Sequence, residues 1–329
     1  KRANQLFRHN LTGILEGAIR ASNAQYEPAY VSDRIGIRLL ENAAGDSGWE
    51  VFSLDYAIDA PLNAIVHTEC IRKYRIAFHM LWRLKRVEWT LSTAWKQNSM
   101  FQHTSRNYIS PSFRAVLHRC YLNRAMMRHV VNNLCAFLMF EVLETAWHSL
   151  QETVSRATCL DDVIEAHSAY LTEVLDRALL APRHEALNMQ LQQLLHTVLK
   201  FCHLEETLIN DALASISRHK LARAAAEERS RHGQWGVTSA AEAEALEGVT
   251  VPEHVVRRMD DSVKEYGRQF DALMHTLGEQ SEHAAGDVLR FLTFRLDFNA
   301  YHAAKHAQGA AVGLTSTPPP ALATPLHFT

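Results

Sequence analysis

Between Gly48 and Gly233 the chain has no glycine, and only Pro61, Pro111 and Pro182 interrupt it. Glycine and proline most readily end a helix, so their absence over such a span makes long helices the default. The 329 residues hold only 13 Gly and 9 Pro altogether, and no repeat at a fixed period is visible. Apolar residues make up 47%, enough for a substantial core. Lys and Arg number 34 against 36 Asp and Glu, a net charge of -2. That balance argues against a protein whose affinity rests on neutralising phosphates, so no nucleic-acid partner is expected. The longest unbroken apolar run, Leu134 to Phe140, falls far short of the roughly 20 residues a membrane-spanning helix needs, and no membrane partner is expected. The chain opens Lys1-Arg2-Ala3-Asn4 without an apolar leader and reads as a piece of a longer one. Its five cysteines form no Cys-x-x-Cys pair, which points to free, buried thiols in a reducing, cytosolic protein.

The pattern along the chain predicts a helix over 3–24, ending before Pro28. Ile35, Ile37 and Leu39 then alternate with Gly36, Arg38 and Leu40, and Val51 to Ile58 alternates again after a Gly45-Asp46-Ser47-Gly48 turn, the mark of a β-hairpin. Helix returns from Thr68 to about Asn98. One apolar stripe there runs through Ile76, Met80, Leu84, Val87, Leu91 and Trp95, and a second through Ile71, Tyr74, Phe78 and Leu81, so this helix is expected to be covered from two directions. Ser110-Pro111 is a helix opening, with helix to about Ser155, and Val130–Trp147 reads as the most buried stretch of the chain. Asp161 and Asp162 open a helix to Leu180, and Pro182 separates it from a run over 183–231. Residues 232–250 read as a mobile insertion, helices resume over 252–277 and 284–294, and 307–329 read as a disordered tail. The fold class is therefore all-α, elongated stacked helical bundles with one small β-hairpin, in a single domain over 1–306.

Catalytic motifs are missing. Nineteen histidines call for a metal search, but no His-Glu-x-x-His occurs, and the pairs His196/His203 and His118/His129 lack a matching carboxylate set. Neither a phosphate-binding glycine loop nor a nucleophile elbow is present. Glu141 and Glu144 share a helix face inside apolar sequence, where a buried ion pair with an arginine is the favoured reading over acid/base work. The cluster Arg72, Lys73, Arg75, Arg83, Lys85, Arg86 could bind an acidic partner, but a solvated helix edge is the favoured reading, since the charge spreads around the helix and not along one stripe. No enzyme activity, cofactor or metal is expected. Two irregular, aromatic-rich segments suit a protein interface better: Phe52-Ser-Leu-Asp-Tyr56 and Arg295-Leu-Asp-Phe-Asn-Ala-Tyr301.

Five segments resemble gamma-tubulin complex component 3 proteins, in the same order and over nearly the whole chain. They are His9–Asn23, Gly45–Tyr56, Phe140-Glu-Val-Leu-Glu-Thr-Ala-Trp147, Gly233-Gln-Trp-Gly-Val-Thr238 and Leu289–Asn299, with the Gly-Gln-Trp-Gly-Val element pointing to component 3 over its sister subunits. Departures fall mainly in 99–110, 221–247 and after 302. The resemblance implies a microtubule-nucleation scaffold at microtubule-organising centres and spindle poles, in the cytoplasm and cytoskeleton. It implies that this chain is the C-terminal half that holds gamma-tubulin, while lateral pairing with component 2 and other sister subunits belongs mainly to an N-terminal half. The residues expected at the gamma-tubulin-facing end are Trp49, Phe52, Asp55 and Tyr56 of the hairpin, Pro61 of the following turn, and Arg295, Asp297, Phe298, Asn299 and Tyr301. A non-catalytic helical adaptor for a different protein is the alternative.

Overall fold

The structure, a computed structural model, describes residues 8–40, 48–236, 253–281 and 286–298. The chain forms two compact units, residues 1–273 and 274–329. Asn299, Tyr301, the tail over 307–329 and most of the 232–250 stretch lie outside the described residues.

The first unit is helical apart from one hairpin. Helix α1 (Arg8–Arg20) is followed by a 3-10 turn, the short α2 (Ala29–Ser32) and strand β1 (Ile35–Leu39). A single turn, α3 (Gly48–Val51), feeds strand β2 (Phe52–Tyr56). The strands pair antiparallel with Ile35 opposite Tyr56, Ile37 opposite Leu54 and Leu39 opposite Phe52. Directly opposed residues share a face, so these six form the apolar side expected from the alternation. Val51 ends the helical turn instead of opening the strand.

Helix α4 (Thr68–Ser105) runs seven residues beyond the expected Asn98. At about 1.5 Å per residue it spans roughly 57 Å. Helix α5 (Pro111–Ala136) starts where the sequence placed it: the Ser110 hydroxyl accepts from the Phe113 amide at 3.2 Å, and Pro111 occupies the first turn, where its missing N–H is not needed. A π-helical segment, Phe137–Glu144, then leads into α6 (Thr145–Arg156). Buried residues along α5 alternate in steps of four and three (Phe113, Leu117, Cys120, Arg124, Met127, Val131, Leu134), but beyond it step by four (Leu138, Val142, Ala146, Leu150). Each step of four drifts by about 40° in an α-helix, and the wider π turn drifts the opposite way, so the row of four-residue steps stays on one face.

This segment departs from expectation. Val130–Trp147 is not the most buried stretch, because Met139, Phe140 and Trp147 face outward, Phe140 at 65% exposure. The densest buried row lies on α8 (Glu185–Arg231), through Leu187, Leu191, Leu194, Val198, Phe201 and Leu208. Each such side chain contributes about 1.5–3 kcal/mol by leaving water, which outweighs any difference in helix propensity. Helix α8 packs along α4, and α4 also packs on α5. The stretch Pro111–Arg156 is long and apolar enough by length and composition to cross a membrane. Its packing along α4 and its buried Arg124 read as those of a core helix.

Helix α7 (Leu160–Arg177) packs on α6 and α4. The Asp162 carboxylate closes its start by accepting from the amides of Thr158 (2.8 Å) and Cys159 (3.1 Å) and from the Thr158 hydroxyl (2.9 Å). Those donors hold its pKa down at about 2. The part of helix α9 (Glu253–Ser281) that belongs to the first unit is held there by Gln269, whose side-chain oxygen accepts from the Thr197 hydroxyl at 2.8 Å, and by Asp260, 3.0 Å from Arg119.

The buried ion pair expected at Glu141 and Glu144 sits elsewhere. Glu144 is exposed, and neither residue makes an ion pair with a described residue. The buried pair is Arg124 on α5 with Glu205 on α8, joined by Asn98 of α4, whose side-chain amide donates to the same carboxylate oxygen at 2.7 Å. Gln102 donates to Asn98 at 2.8 Å. Three helices thus meet on one carboxylate that is fully buried. Cys120 and Cys202 lie buried beside it, and burial pushes both thiols up to about 12. Cys159 alone among the five thiols is exposed, and all are free.

In the second unit, α10 (Gly286–Leu296) buries Leu289, Leu292 and Leu296 at steps of three and four.

Candidate protein-docking site

The hairpin is mounted on the N-terminal half of α4. The Phe52 ring lies 4.8 Å from Trp82 and 6.4 Å from Phe78. Trp49, on the turn before β2, sits 4.8 Å from Trp82, and the Trp82 indole N–H donates to its carbonyl at 3.0 Å. Offset aromatic contacts of this kind are worth about 0.5–1.5 kcal/mol each beyond the area they bury. Charge ties the same elements together. Asp55 accepts from Arg75 at 2.8 Å and has Arg38 at 4.0 Å, and Glu50 lies 3.5 Å from Arg86. These pairs are partly exposed, so each adds little stability and mainly fixes orientation. Ser53 is fully buried and spends its hydroxyl on the Leu54 carbonyl.

Mounting leaves the apolar face of the hairpin only half covered. On one side of Leu54, a groove of about 450 Å³ opens between α1 (Leu11, Ile14, Leu15), Ile37, Phe52 and Trp82. On the other side, one of about 480 Å³ runs past Tyr56, Ile58, Val66 and Phe78. Ile14 at the first rim and Tyr56 at the second are exposed. Exposed apolar grooves of this kind, the second with Asp55 and Arg75 at its rim, are where another protein commonly sits.

The expected interface residues therefore divide. Trp49, Phe52, Asp55 and Tyr56 are brought together, but the first three are engaged by α4, and Tyr56 is the one left outward. Pro61 is exposed, after a cis peptide bond from Ala60 and before a 3-10 turn (Leu62–Ala64). In the second unit, Phe291, Phe294 and Phe298 form an exposed row at helical spacing, with Phe298 68% exposed. Phe294 and Phe298 meet edge to face at 5.1 Å, and the Arg295 guanidinium lies 5.3 Å from the Phe291 ring. The Asp297 amide donates to the Thr293 carbonyl at 3.0 Å, ending the helix.

The cradle residues Phe78, Trp82 and Arg75 were not among the expected site residues. Phe78 belonged to the second apolar stripe, whose covering from a second direction is the hairpin itself; Trp82, four residues on, continues that stripe. Among the described residues no group of three His, Cys, Asp or Glu side chains could hold a metal ion.

The sequence is similar to known proteins over most of its length. The family model for the gamma tubulin complex component C-terminal region matches residues 1–302. The chain is 34% identical over 303 residues to gamma-tubulin complex component 3 of Homo sapiens, covering 92% of this chain and 33% of that protein. It is 33% identical over 306 residues to the spindle pole body component alp6 of Schizosaccharomyces pombe, covering 91% of this chain and 34% of that protein. Component 2 of Mus musculus is similar at 25% identity over 273 residues, covering 78% of this chain and 29% of that protein. The chain spans about a third of the length of the component 3 relatives. On these matches, the chain belongs to the gamma-tubulin complex component family, and residues 1–302 are its C-terminal part.

Proposed function

We propose that this chain is a non-catalytic holder for gamma-tubulin within a gamma-tubulin complex, acting in microtubule nucleation at a microtubule-organising centre or spindle pole. The observation that carries the reading is the hairpin mount: an apolar face fixed on a long helix by aromatic and ionic contacts, with a groove left open on either side of Leu54. Family membership supplies the occupant. The work is geometric. Nucleation is slow when several subunits must meet before their lateral contacts reward them, and a rigid holder spends that ordering entropy in advance. Pairing with component 2 and other sister subunits would rest mainly on an N-terminal half of such a protein. Tyr56 and the Phe294/Phe298 row would supply exposed aromatic anchors, while Trp49, Phe52 and Asp55 would set the position of the hairpin.

The test is co-purification of gamma-tubulin with the chain, followed by Tyr56→Ala and Phe298→Ala singly and together, with folding checked by circular dichroism. Capture by the parent chain that falls at least about tenfold in the double variant is expected, the loss of two aromatic anchors. Absence of capture by the folded parent chain would overturn the function. Undiminished capture by the double variant would remove both residues from the interface.

A further inference from the structure

Arg75, His79, Arg83 and Arg86 follow one another along α4 at steps of four, four and three, so they share one face. Lys73 and Lys85 of the same helix turn elsewhere, to Thr172 and Glu88, so only part of its positive charge gathers in this row. The hairpin neutralises the two ends of the row, Arg75 through Asp55 and Arg86 through Glu50. The middle is left charged: Arg83 is exposed and makes no ion pair with any described residue. Beside it lies a cavity of about 290 Å³ between the hairpin base, α4 and α8. Trp49, Trp82, Leu195 and Leu199 give it apolar walls, and Arg83 and Arg86 give it a positive lip, with Glu50 at one edge and the His79 and His196 rings beside them. Burial, and then the charges of Arg83 and Arg75, hold the His79 imidazole below its usual range, so at neutral pH it is an uncharged donor or acceptor beside the cationic arginines.

We propose that this cavity receives a carboxylate side chain from an acidic segment of a protein partner, with Arg83 as its principal donor and the Trp49–Trp82 pair packing its methylene stem. Charge complementarity selects the sign. The guanidinium fork matches a carboxylate with two parallel hydrogen bonds. The near-zero net charge of the chain disfavours a polyphosphate backbone as the partner. The cavity shares Trp49 and Trp82 with one of the grooves beside Leu54, but Arg83 lines neither groove, so its replacement tests this site and gamma-tubulin capture tests the other.

The experiment uses fluorescence anisotropy of a labelled, end-capped hexaglutamate peptide added to the chain. Hexaglutamate should bind at low ionic strength and weaken as salt shortens the Debye length from about 30 Å to about 8 Å. Arg83→Ala should weaken it about fivefold or more, whereas Arg128→Ala, an exposed arginine on α5, should leave it unchanged. Equal losses in the two variants, or no binding, would overturn the proposal. Competition by inorganic phosphate as effective as that by the peptide would reassign the site to free anions and overturn it too. Binding that arises only after Asp46→Asn would assign the cavity to the chain's own hairpin loop, with the same consequence.

Discussion

Replacing Arg124 with leucine removes the only cation paired with Glu205 among the described residues while leaving that carboxylate fully buried between α4, α5 and α8. Glu205 would retain the Asn98 amide on Oε1, but Oε2 already has no hydrogen-bond partner among the described residues. Stripping one partner from a buried pair costs about 3–5 kcal/mol, because the remaining charge is neither solvated nor balanced. Against a domain stability of about 5–15 kcal/mol that is a large share. For a unit of this size it translates to roughly 6–20 °C in Tm, at about 2–4 °C per kcal/mol. The companion variant Glu205→Leu strands Arg124 and should cost a comparable amount. Their combination should not add. With both charges gone the site becomes apolar, and the double variant should return to within about 2 kcal/mol of the parent or exceed it. Urea unfolding followed by circular dichroism gives the three free energies, and the double-mutant cycle isolates the coupling. A single variant costing under about 1 kcal/mol, or a double variant as damaged as the sum of the singles, would refute the account of this cluster as a mutually dependent pair.

Two further outcomes follow from the same coordinates. Trp82→Ala removes the ring under Phe52 and Trp49 and the donor to the Trp49 carbonyl, at about 2–3 kcal/mol for a half-buried indole. Hydrogen exchange should then quicken across Ile35–Leu39 and Phe52–Tyr56 while the middle of α8 keeps its protection; uniform quickening throughout would mean the hairpin is not a separately mounted element. Asp162 has its folded pKa depressed to about 2, so the stability it lends α7 is complete above the ordinary carboxylate value and is lost as pH falls from about 4 towards 2. The stability gap between the parent and Asp162→Asn should therefore close through that window, and a gap that stays constant would show that the Thr158 and Cys159 amides are not its cause.

Helix ends and the hairpin were legible because their signals are local. Ser110-Pro111 specifies its own cap, and the alternation over 35–39 and 52–56 can bury one face only when paired. The π segment was not legible. A step of four from Leu134 through Leu138, Val142 and Ala146 fits either period, and only the packed neighbours reveal the wider turn. The outward Phe140 and Trp147 followed from the same cause, since apolarity all round a helix was read as burial all round. Glu205 was missed for the converse reason. It stands beside Glu206 in a stretch that reads as polar, and its burial is imposed by Asn98 and Arg124, roughly a hundred residues away in the chain. At the site, Trp49, Phe52, Asp55 and Tyr56 could be grouped from strand register, but their division into holders and outward residues depended on α4. A side chain's partner across a tertiary contact leaves no periodic trace in its own segment.

That division has a consequence for how a holder can work. Helix α4 carries the aromatic cradle at Phe78 and Trp82, and about 24 Å further along, at 1.5 Å per residue, Asn98 enters the buried cluster that pins it to α5 and α8. One continuous helix thus connects the hairpin to the buried Arg124–Glu205 cluster of the core, with Leu84, Val87 and Leu91 buried between. A guest seated on the hairpin would be referenced to that core through a rod with no glycine or proline hinge in it. Damage at the two ends should then separate. Loosening the Arg124 cluster lowers stability while the surviving folded molecules keep the docking face, so capture of gamma-tubulin should fall only in proportion to the folded fraction. Undocking the hairpin through Trp82 leaves the core folded and should remove capture out of proportion to stability. If both variants lost capture strictly in step with their unfolded fractions, the hairpin would be a cap on the bundle and nothing more, and the open grooves beside Leu54 would have no part in holding a guest.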